Sequence, residues 1–375
     1  MSCQEAVALV LDTGSLSVKA GFAGESFPRC IIPTAVGRFR HGGLIDGVPD
    51  LYCGNKAVAN RGISALTWPI KDGSIDNWGD IEKLWHHVFY RELHVAPEES
   101  RVMMAVHPLT KRRDKERIAE ILFESFEIHD LYIAISSALV LHASGRTSGV
   151  AWENGHSCSY ASPVFEGFPL KHATVCSEIT GKSLTCRLQT LLSQIGYSFS
   201  TPLEFDILEK IKSELCYVAT NFEKESNASN FCKEGVHYTL PDGQQILIGE
   251  ERFMCPELLF QPHLQGSNGA SIVDDICSSI SKCDMDYKAL FYANVVVSGG
   301  SSLFKGLPER LGIELSRRVN DQPGIEARVD AIPSRHYAAW MGGSILASLN
   351  STQGFWMTNA EYKDDGADRV HYKFF

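Results

Sequence analysis

The feature that most constrains this chain is a strand–turn–strand pattern that occurs twice. An apolar run at 6–11 enters a turn at 12–15 (DTGS), and a second strand-like run leaves it at 18–22. Residues 148–165 repeat the pattern around a turn at 153–157 (ENGHS). Each copy predicts a buried strand, a tight turn and a returning strand. Because the two copies open the two halves of the chain, we expect a duplicated fold with a ligand between the halves.

The first turn has residues suited to phosphate binding. Backbone N–H groups around Gly14, together with the Ser15 hydroxyl, can line a concavity that accepts phosphate oxygens. Asp12 at the strand end is placed to hold a divalent metal through water, and Lys19 is placed to reach a phosphate. An ordinary hairpin, in which Asp and Gly only shape the turn, is the alternative.

The same four residues also match the aspartic proteases, which need a second carboxylate in a matching turn. The second turn has Glu153 and Asn154 before Gly155, without the aspartate, and Asp242 lies in a polar turn. The sequence therefore excludes the protease interpretation.

Composition narrows the class of protein further. The 375 residues predict two or three domains or one bilobed fold, and 44% hydrophobic residues allow a sizeable core. A net charge of −10 argues against direct binding of nucleic acid. No apolar run is long enough to span a membrane, and the first residues lack a signal peptide's basic region. The 11 cysteines have no paired spacing, which predicts reduced thiols of the cytosol.

Apolar periodicity predicts the remaining elements. Helices are expected at 79–93, 111–126, 137–144, 182–195 and 202–219 and from 307, with strands at 102–106, 131–135 and 295–297. The turn-rich residues 34–68 predict a small, exposed, mobile lobe. Gly299 and Gly300 allow a ligand to approach the backbone at a helix start, whereas Gly342 and Gly343 predict close helix packing.

Several local sequences resemble actin, in the same order along the chain. They are KAGFAG (19–24), WHHVFYRELHVAPEE (85–99), LHASGRT (141–147), ELCYVAT (214–220), LPDGQQI (240–246), CPELLFQP (255–262) and GGSILASL (342–349). The resemblance covers the whole chain. It implies the α/β fold of the actin, heat-shock-70 and sugar-kinase ATPases, with two duplicated lobes of four subdomains around a central nucleotide cleft.

By that resemblance, each subdomain takes defined segments. Subdomain 1 comprises 1–33, 69–143 and 338–375, subdomain 2 comprises 34–68, subdomain 3 comprises 144–179 and 270–337, and subdomain 4 comprises 180–269.

The resemblance also implies ATP or ADP with Mg²⁺ or Ca²⁺ as the cofactor. The positions that would bind the nucleotide are Gly14, Ser15, Lys19, Gly155, Gly181, Lys212, Gly299, Gly300 and His336. Asp12 and Glu153 would hold the metal.

The residues expected to support hydrolysis depart from the family pattern. Ser136 replaces the glutamine that orients the attacking water, while His156 and Tyr160 replace an aspartate and a histidine. Leu16 replaces a glycine, and with His156 it crowds the place expected for the phosphates. Positioning a proton acceptor or a water is worth roughly 10²–10⁴-fold in rate, so we expect ATP hydrolysis to be absent or very weak. Binding through backbone groups can persist.

Two segments expected to form polymer contacts also differ from those of actin. The loop at 39–51 is shorter, and 262–272 is more polar than actin's hydrophobic plug. These changes predict an actin-related cytoskeletal protein in a hetero-assembly with actin, other actin-related proteins or actin-binding proteins, in the cytoplasm and cytoskeleton. Two alternatives stay open: a filament-forming actin with a working ATPase cycle, and a nuclear subunit of a chromatin complex. For the nuclear subunit, the basic run at 111–117 would be an import signal, although a solvated helix start also explains it.

Overall fold

Two units make up the described part of the chain, which comprises residues 7–39, 51–229, 235–266, 269–320 and 322–374 of the computed structural model. The first unit is Met1–Thr147, Val164–Lys171 and Tyr337–Phe375, and the second is Ser148–Pro163 and His172–His336. Each unit starts at or near one of the two strand–turn–strand segments. We name them the first hairpin (7–22) and the second hairpin (149–163).

A six-stranded sheet forms the centre of the first unit. Its strands, in spatial order, are Met357–Thr358, Asp130–Ile135, Ser100–Val106, Val7–Thr13, Ser17–Phe22 and Cys30–Pro33. The neighbouring strands Asp130–Ile135, Ser100–Val106 and Val7–Thr13 run parallel to one another. Their apolar residues join a core that includes the fully buried Trp85 and Phe89. Parallel strands of this kind need cover on both faces, which the helices supply.

Smaller elements complete the first unit. A three-stranded sheet has the order Leu51–Cys53, Val36–Phe39 and Ser64–Thr67, and Ile70–Lys71 pairs with Ser74–Ile75. The helices are Gly54–Ala59, Trp78–His87, Arg112–Glu120, Ser136–Ala143, Ala338–Ser348, Asn359–Asp365 and Val370–Lys373, and wider helical turns continue two of them at Val88–Leu93 and Ile121–Ser125. Much of the turn-rich loop at 39–51 lies outside the described residues.

Two glycines of the helix Ala338–Ser348 allow it to pack closely on its neighbours in the first unit. A Cβ atom added to Gly342 would lie 1.8 Å from the Leu139 carbonyl oxygen of the helix Ser136–Ala143, and one added to Gly343 would lie 2.8 Å from Val10 of the strand Val7–Thr13. Real Cβ atoms do not approach other atoms so closely, so a larger residue would force the helix away from that helix or that strand. The prediction of close packing at these glycines is confirmed.

The second unit contains its own sheet. The strands Ser159–Phe165, Gly149–Asn154, Val295–Ser298 and Val329–Asp330 are neighbours in that order, and Val175–Ser177 pairs with the first of them. The last three strands of that order run parallel. The hairpin strands Val236–Thr239 and Gln245–Ile248 form a separate pair.

Three of the described helices of the second unit begin at a residue whose side chain caps the first turn. The helices of this unit are Gly181–Gln194, Pro202–Leu215, Phe222–Ser229, Glu251–Met254, Ile272–Ser281, Lys288–Ala293 and Leu307–Val319. Thr180 and Thr201 each accept a hydrogen bond from the backbone three residues later, in reciprocal capping boxes. These caps explain why the helices begin where the sequence predicts.

One helix is shorter than predicted. We expected a helix at 202–219, but it ends at Leu215, because Cys216 has an extended conformation with ψ of 146°. The Val218 N–H then donates to the Lys305 carbonyl at 2.8 Å. A long-range backbone contact therefore overrides the apolar periodicity of this segment. Across the described residues, no helix is both long and apolar enough to cross a membrane.

Candidate functional site

The first hairpin is held by contacts among its own residues and its neighbours. Asp12 faces Lys19 in the antiparallel ladder, and the Lys19 ammonium donates to the Asp12 carboxylate at 2.9 Å. The Gly14 N–H donates to the Ser17 carbonyl at 3.1 Å, so this amide closes the turn. Within the part of the chain that the structure describes, the Ser15 hydroxyl makes no hydrogen bond.

Neighbouring segments fix the position of this turn. The Thr34 hydroxyl donates to the Gly14 carbonyl at 2.6 Å, and the indole N–H of Trp85 donates to the Thr13 hydroxyl at 3.1 Å. Leu16, at the turn's tip, is 42% exposed. The turn is therefore anchored from two sides, with an apolar side chain at its open end.

The parallel strands bring three polar residues to one edge of the first unit's sheet. Asp12 pairs in register with Ala105, and Ile135 pairs with Val106. Ser136 follows the last residue of its strand and is buried. In open α/β sheets, the carboxyl ends of the strands are where ligands bind. The structure thus brings Asp12 and Ser136, two positions named by the sequence analysis, to the same edge of this sheet.

The third residue, His107, was missed by the sequence reasoning. It follows the strand Ser100–Val106, which lies between the strands of Asp12 and Ser136. Its Nδ1 accepts a hydrogen bond from the Leu109 N–H at 3.0 Å. Burial lowers the pKa of His107 to about 4, so the imidazole is neutral at pH 7. A histidine directly after an apolar strand was the available signal.

In the second hairpin, two of the altered positions contact each other. The Tyr160 hydroxyl donates a short hydrogen bond to the Glu153 carboxylate across the hairpin. Tyr160 is buried, and Glu153 lies next to Ser298 in the parallel ladder. Glu153, the expected metal ligand, is therefore hydrogen-bonded to Tyr160, one of the positions expected to support hydrolysis.

Several buried polar atoms of the second hairpin lack a hydrogen-bond partner in the described part of the chain. Asn154 is fully buried, yet neither its side-chain oxygen nor its nitrogen has one. The same holds for the Ser157 hydroxyl and for Nδ1 of His156. Buried polar groups are nearly always hydrogen-bonded, so such a concentration indicates a place that a polar ligand or water completes.

The start of one helix packs directly on the second turn. The Gly181 N–H donates to the Gly155 carbonyl at 2.9 Å, and the Lys182 N–H donates to the His156 carbonyl at 2.8 Å. A Cβ atom at Gly181 would lie 2.4 Å from the Ser301 hydroxyl. Gly155 and Gly181, two positions predicted to bind nucleotide, thus contact each other, and the contact requires glycine at 181.

Lys212 is buried in a polar network of the second unit. Its ammonium donates to the Gly181 carbonyl at 2.8 Å, to the Thr185 hydroxyl at 2.7 Å and to the Glu209 carboxylate at 2.7 Å. The other Glu209 oxygen lies 3.5 Å from Nδ1 of His156. Burial is the main cause that lowers the pKa of His156, with Glu209 opposing it. The lysine predicted for the nucleotide therefore has a full set of protein acceptors.

The two glycines at 299–300 have different surroundings: Gly299 is closely packed, and Gly300 is not. Gly299 has φ of +91°, and a Cβ atom there would lie 2.3 Å from the Asn154 carbonyl oxygen. Gly300 has open space around it. The carbonyl of Arg335 accepts from the Gly299 N–H at 3.1 Å, which brings the next residue, His336, to this loop. Gly299, Gly300 and His336, three positions predicted to bind nucleotide, thus lie on two segments that are joined by this hydrogen bond.

A nucleotide and a divalent cation are the groups implied by the resemblance. The unpaired polar atoms of the second turn fit a polar ligand such as a nucleotide. Both expected metal ligands already have direct protein partners, Lys19 for Asp12 and Tyr160 for Glu153. Taken singly, each carboxylate therefore fits a cation held through water rather than by direct coordination.

Another cluster in the first unit has potential ligands but the geometry of an ion pair. Ligand atoms of Glu116, Asp368 and His371 lie within 4.8 Å of one another. However, Nε2 of His371 is 2.6 Å from the Glu116 carboxylate. Two ligands on one zinc ion, each roughly 2.0–2.2 Å from it, would lie farther apart. We therefore interpret this cluster as a hydrogen-bonded pair beside an exposed aspartate.

Comparison with known protein families agrees with this architecture. The family model described as Actin matches residues 3–375, which include both hairpins and every candidate position described above. The match spans almost all of the 375 residues. The two units, each with its own hairpin and parallel strands, agree with the fold that the local sequences implied. The chain belongs to the actin family.

Proposed function

We propose that this chain is an actin-related structural subunit that binds ATP or ADP with Mg²⁺ or Ca²⁺ but hydrolyses the nucleotide very slowly or not at all. It works in a hetero-assembly with actin, other actin-related proteins or actin-binding proteins, in the cytoplasm and cytoskeleton. Its four subdomains follow the boundaries given above.

The hydrogen bond between Tyr160 and Glu153 is the observation that carries the hydrolysis part of this proposal. A neutral tyrosine is a poor proton acceptor for an attacking water because its phenol oxygen is only weakly basic, and the hydroxyl hydrogen of Tyr160 is already directed at the Glu153 carboxylate. Ser136 has a side chain too short to replace a glutamine. Binding is supported separately, by the unpaired polar atoms of the second turn and by the open space at Gly300.

The basic run at 111–117 supports the cytoskeletal role over the chromatin alternative. Lys115 is buried and donates to the Phe374 carbonyl at 3.4 Å, and burial lowers the pKa of Lys115 to about 8. Arg117 pairs with Glu120 at 2.6 Å. Two of the basic residues therefore serve the fold, which is what a helix start requires and an import signal does not.

The polar segment at 262–272 supports assembly with a partner rather than self-assembly. Pro262–Gln265 forms a short helical turn, and Ser271 caps the helix that begins at Ile272. Residues 267–268 lie outside the described part. A filament needs both faces of each contact to be complementary, and a polar turn is a poor match for a hydrophobic plug.

Sedimentation of the pure protein in magnesium and potassium salt tests this proposal. We expect the protein to remain in the supernatant, and an affinity pull-down to recover a stoichiometric partner. Conventional actin under the same salt is the control for polymerising conditions. An abundant pellet of helical filaments in electron micrographs would contradict the proposal, and a protein recovered only as a lone monomer would contradict its assembly half.

A further inference from the structure

All three N–H donors of the Lys212 ammonium are used in hydrogen bonds within the protein, so none is available to a ligand. Its side chain is buried, and the three acceptors are the Gly181 carbonyl, the Thr185 hydroxyl and the Glu209 carboxylate, at 2.7–2.8 Å. A lysine ammonium has three N–H donors, so these bonds use all of them. A ligand that bound Lys212 would have to displace at least one of the three.

Glu209 is the charged member of this network. It lies three residues before Lys212 on the helix Pro202–Leu215, and its second oxygen accepts from the Thr185 hydroxyl at 2.5 Å. The Glu209 side chain is 20% exposed. In such a setting a carboxylate strongly cancels the field of a neighbouring ammonium. The network therefore neutralises the lysine beside the second turn.

A purely structural explanation is also available for these bonds. Thr185 lies on the helix Gly181–Gln194 and Glu209 on Pro202–Leu215, so the network joins the two helices. A structural network would change stability when broken but would leave ligand affinity alone. Affinity for an anionic ligand is therefore the measurement that separates the two explanations.

We infer that Glu209 sets the affinity of the second unit for nucleotide, by competing with the ligand for the Lys212 ammonium. This inference rests on the nucleotide binding proposed above. The competition follows from the neutralised charge: a buried ammonium without its carboxylate is poorly compensated, and a bound nucleotide, which is anionic, then supplies acceptors and part of the missing negative charge. The wild-type chain thus binds nucleotide more weakly than its remaining site residues allow.

The substitution Glu209→Gln tests the role of the negative charge at this position with little change in the shape of the side chain. Glutamine keeps the length of the side chain and an oxygen that accepts from Lys212, but it removes the negative charge. Full-length protein and ATP with Mg²⁺ in isothermal titration calorimetry give the dissociation constant. We expect E209Q to bind ATP about tenfold more tightly than wild type, a change typical of a single charge contact.

Glu214→Gln is the matched control, because Glu214 is an exposed glutamate on the same helix. It changes the net charge equally without touching the network, so it is expected to leave ATP affinity unchanged. The double variant E209Q/K212Q should lose the gain of E209Q, since the freed ammonium is then absent. A gain that persists without Lys212 would overturn the inference.

The outcomes for the two proposals are separable. If wild type binds ATP and E209Q binds no more tightly than E214Q, the inference is wrong while nucleotide binding stands. If ATP binds only to E209Q, the inference holds and the proposed binding by the natural chain is wrong. If no variant binds ATP, both are wrong.

A second variant keeps the test available if E209Q does not fold. Thr185→Val is nearly isosteric and removes the hydroxyl that bridges Glu209 and Lys212. It leaves Lys212 with one unused donor, so we expect a smaller gain, roughly threefold, in ATP affinity. Circular dichroism confirms folding of each variant before titration. Folded T185V with unchanged affinity would overturn the inference.

Discussion

The two hairpins follow the same backbone plan but satisfy their polar groups differently. In the first hairpin, Asp12 and Lys19 face one another and form a 2.9 Å ion pair. In the second, Glu153 accepts from Tyr160, while the side chain of the buried Asn154 has no hydrogen-bond partner among the described residues. The difference shows that similar turns can be complete in one unit and dependent on an added polar group in the other.

The glycines of the two hairpin regions show the same contrast. A Cβ atom at Gly14 would lie 3.1 Å from the Ser17 carbonyl oxygen, a contact that a small shift relieves. At Gly299, it would lie 2.3 Å from the backbone of Asn154, at φ of +91°. The second turn is therefore fixed by another loop packed on its backbone, whereas the first is fixed mainly by hydrogen bonds.

The largest expected effect comes from Gly299→Ala. A left-handed conformation costs a non-glycine residue roughly 1–2 kcal/mol, and overpacking against backbone adds about 1–3 kcal/mol. We expect the variant to lower the free energy of unfolding by about 4 kcal/mol, measured by urea denaturation with circular dichroism.

Gly300→Ala is the neighbouring control, because open space surrounds Gly300. It should change stability by less than about 1 kcal/mol, and Gly14→Ala should fall between the two. Equal losses for G14A and G299A would remove the contrast between the two turns.

The pH dependence of stability differs between the two units, because each contains a buried group with a shifted pKa. Burial lowers the pKa of His107 in the first unit to about 4, and burial raises the pKa of Glu257 in the second to about 7. As pH falls from 6.5 to 4, the unfolded chain takes up a proton at His107 that the folded chain refuses. The first unit therefore loses about 3 kcal/mol from this group over that range.

Glu257 acts with the opposite sign, because its folded form holds a proton that the unfolded form releases above pH 4.5. Its stabilisation is complete below pH 4.5 and is lost as pH rises through 7. We expect His107→Gln to gain stability relative to wild type on acidification, and Glu257→Gln to lose it. Urea midpoints at pH 7 and pH 4.5 measure both, and shifts of the same sign for the two variants would refute this contrast.

The smallest expected effect is on hydrolysis. Replacing Ser136, His156 and Tyr160 together by the family's glutamine, aspartate and histidine should raise phosphate release from ATP about 100-fold, equivalent to roughly 2.7 kcal/mol of barrier. Such groups act as a unit, so each single variant should gain far less. A triple variant that folds, binds ATP and still hydrolyses at the wild-type rate would show that other features limit the reaction.

The sequence predicts a helix boundary well when the contacts that fix it lie close together along the chain, and poorly when they lie far apart. Helices predicted from 182 and 202 begin at Gly181 and Pro202, where Thr180 and Thr201 cap the first turn through contacts within four positions. The helix end at Leu215 depends on a backbone bond to Lys305, about which the periodicity of 202–219 carries no information. Contacts between residues close in sequence therefore fix where these two helices begin, whereas a contact with a distant residue fixes where the second one ends.

The candidate site shows the same limit. Resemblance placed Lys212 near a nucleotide, but only coordinates revealed its three acceptors, because Gly181 and Thr185 lie on another helix. His107 was missed because the resemblance draws attention to family positions, whereas the order of the parallel strands is what brings this residue beside Asp12 and Ser136.

Each hairpin also carries its own optical reporter. Trp85 is fully buried and bonded through its indole N–H to Thr13, beside the first turn. Trp152 is fully buried in the strand that enters the second turn. Indole emission depends on the polarity and hydrogen bonding around the ring, so displacement of either turn alters the fluorescence of its own tryptophan. The chain has six tryptophans, so the difference in emission between wild type and a single Trp→Phe variant at position 85 or 152 isolates the signal of that one tryptophan, without an attached dye.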